Sequence, residues 1–384
     1  MTLKQYLDNK PLYYDEIDYS RMPRAYESVK NHIKFPKIIQ IVGTNGKGST
    51  GRFMAQMLLK QNLSVGHYTS PHIFNFNERI WQNGEDVSDD ILQKAHERLQ
   101  DILPDIFIDT LSYFEYATFL AILIFSEQCD YVVFEAGLGG EFDATTVFPK
   151  ILSVVTPIGY DHNFFLGDTI EEIAGTKINS IENKVLLSRQ YEKSVYEVAE
   201  NISETKGAEL FLAQDTLSQS EKSSIKKYVK ENELPSFQEL NLQTAYSAVK
   251  ILGFNVDLKE LDLSVMAGRC QKIAKNITID VGHNIMAAKM LKENFRGKKV
   301  TLIYNSFKDK DYKKIIDILT PVIDKIEIIQ MENQRGMATE EIVDICKQRD
   351  LELSMFDEIK KDKEYLVFGS FAVVEKFLKD CFEK

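Results

Sequence analysis

Between Lys37 and Gln61 the chain reads without interruption as an apolar β-branched run, a glycine loop and a helix: KIIQIV, GTNGKGST and RFMAQMLLKQ. The last segment places Phe53, Met57 and Leu58 on one face, the spacing of an amphipathic helix. A strand that passes through glycines into a helix is the building unit of a parallel α/β sheet. It also makes a phosphate cradle. Glycines let backbone N–H groups converge on phosphate oxygens, the start of the helix adds positive potential, and a lysine supplies a mobile cation. Thr44, Asn45, Gly46, Lys47, Gly48 and Ser49 are therefore expected to hold a nucleotide phosphate. The loop is a variant of the strict Walker pattern, because Lys47 precedes Gly48 and the hydroxyl comes at Ser49.

The same alternation continues downstream. LSVGHYTS, YVVFEAG, ILSVVTP and KVLLS follow as short apolar segments parted by helical or polar stretches, the pattern of a sheet covered by helices on both faces. The stretch from Gly207 to Pro235 is polar and contains SQSEKSS, so it is expected to be a surface excursion outside the sheet. Tyr116 to Phe125 is the longest strongly apolar stretch; it is too short to span a bilayer and is expected to be a buried helix. A second series begins after Arg269, with NITIDV, VTLIYN, KIEIIQ and YLVFGS as strands and helices near 287–295, 312–319, 339–348 and 372–382. No GxGxxG follows its first strand, so a dinucleotide cofactor has no support. The expected architecture is α/β in two domains: a P-loop-type parallel-sheet ATPase domain over residues 1–267 and a smaller Rossmann-like domain over 268–384. Two cores suit a chain of 384 residues.

Composition removes several function classes. A net charge of −11 argues against a broad nucleic-acid surface, which rests on clustered Lys and Arg. With 44% hydrophobic and 27% charged residues, the chain is ordinary for a folded soluble protein. Cys129, Cys270, Cys346 and Cys381 are scattered and no CxxC occurs, so a thiolate zinc site or redox dithiol has little support. The start, MTLKQYLDNK, lacks the pattern of a secretory leader, and a cytoplasmic location without membrane or nucleic-acid partners is expected.

Glu135 ends the apolar run YVVFE, where α/β phosphate enzymes commonly present a carboxylate to Mg²⁺ or its water shell. Asp161 and His162 follow ILSVVTP, and Lys177 lies in the helical stretch after them. Taken alone, His162 reads equally as a ligand or an ordinary imidazole, and Lys177 as a solvated helix residue.

Taken together, GTNGKGST, YTSPHIFNFNERI, SYFEYATF, VVFEAGLGGEFDATT, SVVTPIGYDHNFFLG, ELNLQTAYSAVKIL, MAGRCQ, IDVGHN and FKDKD resemble the folylpolyglutamate synthase/dihydrofolate synthase family, within the larger group of amide ligases that includes the peptidoglycan-precursor ligases. The resemblance covers nearly the whole chain. It implies an ATP-dependent ligase that adds L-glutamate to dihydropteroate and to reduced folates through an acyl phosphate, working as a monomer. It further implies two Mg²⁺ ions, with Ser70 and Glu135 binding one and His162 helping to bind the second. Lys177 matches the lysine that family members carry as a carbamate, which turns a cation into an oxygen ligand. Asn241, Arg269 and Asp280 match positions that contact ATP. The pterin side is assigned to Ser112, Tyr113, Phe114 and Glu115 and to Phe142, Asp143 and Ala144, where rings can stack on a flat heterocycle and a carboxylate can accept from its amino-pyrimidine edge. His283 is a candidate for positioning glutamate. Lys177 is followed by Ile178 and Asn179 where the family commonly has Ala-Gly, Thr146 stands for a common Asn, and Ile285 for a common Pro.

Two alternatives remain open at the level of sequence. One is another amino-acid ligase of the same group, inactive on folates. The other is a P-loop switch or binding module, for which the loop and Glu135 would suffice.

Overall fold

The computed structural model describes residues 1–10, 18–161, 163–261, 266–331 and 336–382. The chain packs as two units, Met1–Asn232 with Gln238–Leu263, and Glu233–Phe237 with Ser264–Lys384.

The first unit is built on eight strands: β1 Lys37–Val42, β2 Val65–Tyr68, β3 Ile80–Gln82, β4 Glu85–Asp86, β5 Tyr131–Glu135, β6 Leu152–Val155, β7 Lys184–Leu187 and β8 Glu209–Leu212. Their order across the sheet is β4-β3-β2-β5-β1-β6-β7-β8. The run from β2 to β8 is parallel, whereas β3 and β4 add an antiparallel edge. The α/β expectation holds. Ile38, Tyr68 and Phe134 share one core with the Tyr113–Gln128 helix, whose residues from Tyr116 to Phe125 are all buried. That helix is apolar all round because it lies inside the unit. Each such Leu, Ile or Phe contributes ~1.5–3 kcal/mol relative to exposure.

One expectation is corrected. The stretch after Gly207 is not outside the sheet, because ELFL forms β8 and pairs in parallel with β7. Polar neighbours hid its three apolar residues, Leu210, Phe211 and Leu212. The SQSE segment then starts the Gln219–Glu231 helix, with Ser218 and Glu221 as a reciprocal capping box, so its polarity marks a helix start.

The second unit has six strands: β9 Gln271–Ala274, β10 Ile277–Asp280, β11 Val300–Tyr304, β12 Ile323–Ile328, β13 Glu352–Met355 and β14 Tyr365–Phe368. Their order is β13-β12-β11-β14-β10-β9, with β9 alone antiparallel. The four strands read from the sequence form the middle of this sheet. The edges β9 and β13 lack a continuous apolar run because each leaves one side partly in water. No helix among the described residues is long and apolar enough to cross a membrane.

Since β1, β5 and β6 run parallel, Val42, Glu135 and Val155 end at one rim of the first sheet. Ligands of parallel sheets collect at that rim.

Candidate active site

Residues 43–46 turn between β1 and the Lys47–Leu59 helix. Gly46 sits at φ 87° as the helix N-cap, a left-handed geometry that a side chain resists. A Cβ there would also strike Asn241 Oδ1. No side chain caps this helix start, so its first-turn N–H groups are left for an incoming anion. Lys47 Nζ donates to the carbonyls of Gly43 (3.2 Å) and Thr44 (3.3 Å) and stands 3.9 Å from Glu135 Oε1.

Glu135 is buried at the end of β5. Its Oε2 accepts from Thr69 Oγ1 and from the Ser70 N–H, the latter at 3.4 Å. Lys47 of the phosphate loop, Glu135 and Ser70 thus lie together. Thr69 was not singled out from sequence, although it lies in the same YTSPH segment. Among the described residues no three His, Cys, Asp or Glu converge as a metal cage. The donors present instead suit Mg²⁺, which takes one or two carboxylates and completes its shell with waters and substrate phosphates. His162 lies outside the described residues.

Lys177 is 4% exposed in the last turn of the Ile170–Ile178 helix. Burial, aided by the Lys47 charge, pushes its pKa down to about 7, the direction desolvation drives an amine. The loop after β5 clasps this turn. Gly140 lies so close to the Lys177 backbone that a Cβ would overlap it, and the Glu141 N–H donates to Thr176 O at 2.8 Å. Lys150 Nζ adds bonds to Thr146 O (3.3 Å) and Ser180 O (2.9 Å).

The Gln238–Ile251 helix packs against the phosphate-loop helix. It carries buried Asn241, which donates to Gln238 Oε1 at 2.8 Å, and Gln238 in turn reaches Ser49 Oγ at 3.5 Å. Arg269, Asp280 and His283 belong to the second unit. Asp280 is buried at the end of β10 and accepts from the N–H groups of Cys270 (2.8 Å) and Gly282 (2.7 Å); burial pushes its pKa up. The Arg269 guanidinium lies 5.2 Å over the Phe371 ring, and His283 Nδ1 is 3.4 Å from Val281 O.

Several residues assigned to the pterin side are engaged within the chain. Ser112 and Glu115 form the capping box of the Tyr113–Gln128 helix, and Glu115 Oε2 also pairs with Arg21 at 2.8 Å. Ser-x-x-Glu before an apolar run is a helix-start signal, and the structure uses it so. Asp143 is buried, and its two oxygens accept from the N–H groups of Gly137 (2.9 Å), Leu138 (3.1 Å) and Thr145 (2.9 Å) and from Thr145 Oγ1 (2.7 Å). Four donors fill a carboxylate's acceptor capacity. Ala144 is buried beside it. Phe142, by contrast, is 57% exposed and packs its ring 4.4 Å from that of the equally open Tyr19. Phe114 rests against Gly137. Tyr113 lies under the Arg79 guanidinium at 5.2 Å, and Arg79 donates to His72 Nδ1 at 2.7 Å; burial and that neighbouring charge push His72 down to about 4.

The Asp143 network carries a prediction. Asp143→Ala leaves three backbone N–H groups without their acceptor and is expected to cost about 1–3 kcal/mol of stability, with every glutamylation activity falling together. Thermal melts and paired assays check this; an unchanged melt with selective loss on one acceptor would return Asp143 to the substrate.

No family model matches the chain. The chain is 30% identical over 390 residues to the dihydrofolate synthase/folylpolyglutamate synthase of Haemophilus influenzae, covering 89% of this chain and 88% of that one. Its fold matches Helicobacter pylori folylpolyglutamate synthetase at a TM-score of 0.81 and 39% identity, over 100% and 98% of the two chains. Escherichia coli FolC in complex with DHPP and ADP shares the fold at a TM-score of 0.81 and 22% identity, over 98% and 96%. Fold and site define this protein as an ATP-dependent ligase. The chain belongs to the dihydrofolate synthase/folylpolyglutamate synthase family.

Proposed function

We propose that this enzyme joins L-glutamate to dihydropteroate, forming dihydrofolate, and to reduced folates, forming folylpolyglutamates, through an acyl phosphate. The observation that carries the reading is the convergence of Lys47, Glu135 and Ser70 at the phosphate loop, with Lys177 close enough for the Lys47 charge to act on it. An amine does not displace oxide from a carboxylate at neutral pH, so the acceptor carboxylate first takes the terminal phosphoryl group of ATP. The amine of glutamate then attacks the acyl carbon, the C–N bond forms, and the C–O bond to phosphate breaks. ADP, phosphate and one proton leave with the amide. Loop N–H groups and Lys47 hold the charge that develops on phosphate oxygens, the kind of preorganised stabilisation that dominates such reactions.

On this reading two magnesium ions would be held, one by Ser70 and Glu135 and the other by His162 with Lys177, and they would supply positive charge against the phosphates. Lys177 serves as a carbamate, formed when its uncharged amine adds CO₂ and releases a proton. Residues 1–267 hold the nucleotide phosphates on positions 44–49. Phe114, Tyr113 and the open Phe142 ring provide the aromatic surface for a pterin.

Release of phosphate with dihydropteroate or tetrahydrofolate, each with and without glutamate, tests this. Both acceptors are expected to give ADP, phosphate and a product heavier by one glutamyl residue. Turnover confined to tetrahydrofolate would remove dihydropteroate from the function. Turnover with neither would overturn the reading.

A further inference from the structure

We infer that Gln190 is a positioning residue for the phosphate loop, acting through the segment Thr156–Gly159. Strands β6 and β7 pair only as far as Val155 and Leu187, with Ser188 N–H adding one bond to Val155 O at 2.9 Å. Beyond that point Pro157 has no N–H to continue a ladder. The buried Gln190 side chain supplies the missing partners. Its Oε1 accepts from the Ile158 N–H at 2.9 Å, and its Nε2 donates to the carbonyls of Ser188 (3.0 Å) and Thr156 (3.3 Å). A side-chain amide carries the same donor and acceptor types as a peptide group, so it extends the pairing between the two loops. Its own backbone N–H is held by Tyr196 Oη at 2.8 Å, which ties it to the helix Lys193–Lys206.

The segment held in this way is the template for the loop. Pro157 O accepts from the N–H groups of Thr44 (3.0 Å) and Asn45 (3.3 Å). The Thr44 hydroxyl both donates to Gly159 O (3.0 Å) and accepts from the Gly159 N–H (3.1 Å). The path from the Gln190 amide to Thr44 and Asn45 is therefore a continuous series of hydrogen bonds with Thr156–Gly159 between. Gln190 touches no residue of the nucleotide loop itself in this path. Its effect is on where the loop's first residues stand, and hence on how tightly phosphate is bound.

The inference rests on residues 44–49 being the nucleotide loop. Gln190→Met conserves volume and removes all three hydrogen bonds; Gln190→Glu keeps the acceptor for Ile158 and loses both donors. KM for ATP is expected to rise roughly tenfold in Gln190→Met, the scale of one or two lost hydrogen bonds, and less in Gln190→Glu. The Kd for ADP should follow the same order in calorimetry. The kcat at saturating ATP, and the KM values for glutamate and tetrahydrofolate, should stay within about threefold. Unchanged ATP KM in folded variants overturns the inference, as does a parallel loss in kcat and every KM, or failure of both variants to fold. Absence of ADP binding by the unsubstituted protein would instead overturn the nucleotide-loop reading beneath it.

Discussion

Lys47→Ala is expected to lower ATP turnover by about 10²–10³-fold, the range seen when one preorganised donor is removed from a site of developing charge. The fold should survive. Among the described residues Lys47 Nζ bonds the loop carbonyls of Gly43 and Thr44 and stands 3.9 Å from Glu135, and Lys47 belongs to none of the hydrophobic cores. Removing it also relieves the like-charge repulsion that helps to lower the Lys177 pKa. Circular dichroism and a thermal melt establish folding, and ADP formation with each acceptor reads the loss. A folded variant with near-normal turnover would show that the loop cation is dispensable and that phosphate is held elsewhere.

Lys177→Ala is expected to abolish glutamate ligation to within about a hundredth of the normal rate, with a melting temperature no lower than that of the unsubstituted enzyme. The two halves of this expectation have separate causes. Burying an amine carries a desolvation cost that alanine does not, so the substitution offsets the cavity it leaves. The chemistry, however, would lose the oxygen ligand that the proposed carbamate supplies. Acetate or formate at high concentration should therefore restore part of the activity, as an exogenous carboxylate in place of the missing one. Enzyme equilibrated with carbon-13-labelled CO₂ should show one carbamate carbon that Lys177→Ala lacks. No such signal in fully active enzyme would remove the carbamate from the proposal, and a large loss of stability in the alanine variant would make Lys177 a structural residue.

The readable parts of the fold were those buried along most of their length. Strands KIIQIV, apart from its exposed Lys37, and YVVFE are buried, as is the helix Tyr113–Gln128 from Tyr116 to Phe125, so their composition alone separates them from loops. Strand β8 and the edges β9 and β13 are half in water. Their short polar-flanked sequences carry little periodicity. Within the site, Lys47, Glu135 and Ser70 come from three separate stretches. Each stretch ends a parallel strand or begins the helix after one, and parallel strands deliver such ends to one rim.

Roles that depend on which hydrogen bonds are already made lay beyond that kind of inference. Asp143 and Glu115 are carboxylates in plausible positions for a ligand, yet the first is saturated by four donors of its own loop and the second is engaged through Oε2 by a helix cap and Arg21. Gln190 carries no motif at all, and its place between two loops follows from where β6 and β7 cease to pair. Periodicity, glycine placement and strand-end chemistry are local properties, so the sequence by itself determined the α/β class, the phosphate loop and the carboxylate beside it. Whether a polar side chain is free or spent is decided by groups distant in the chain. Only the tertiary structure, which brings those groups within hydrogen-bond reach, shows which of the site's polar residues hold the loops in shape.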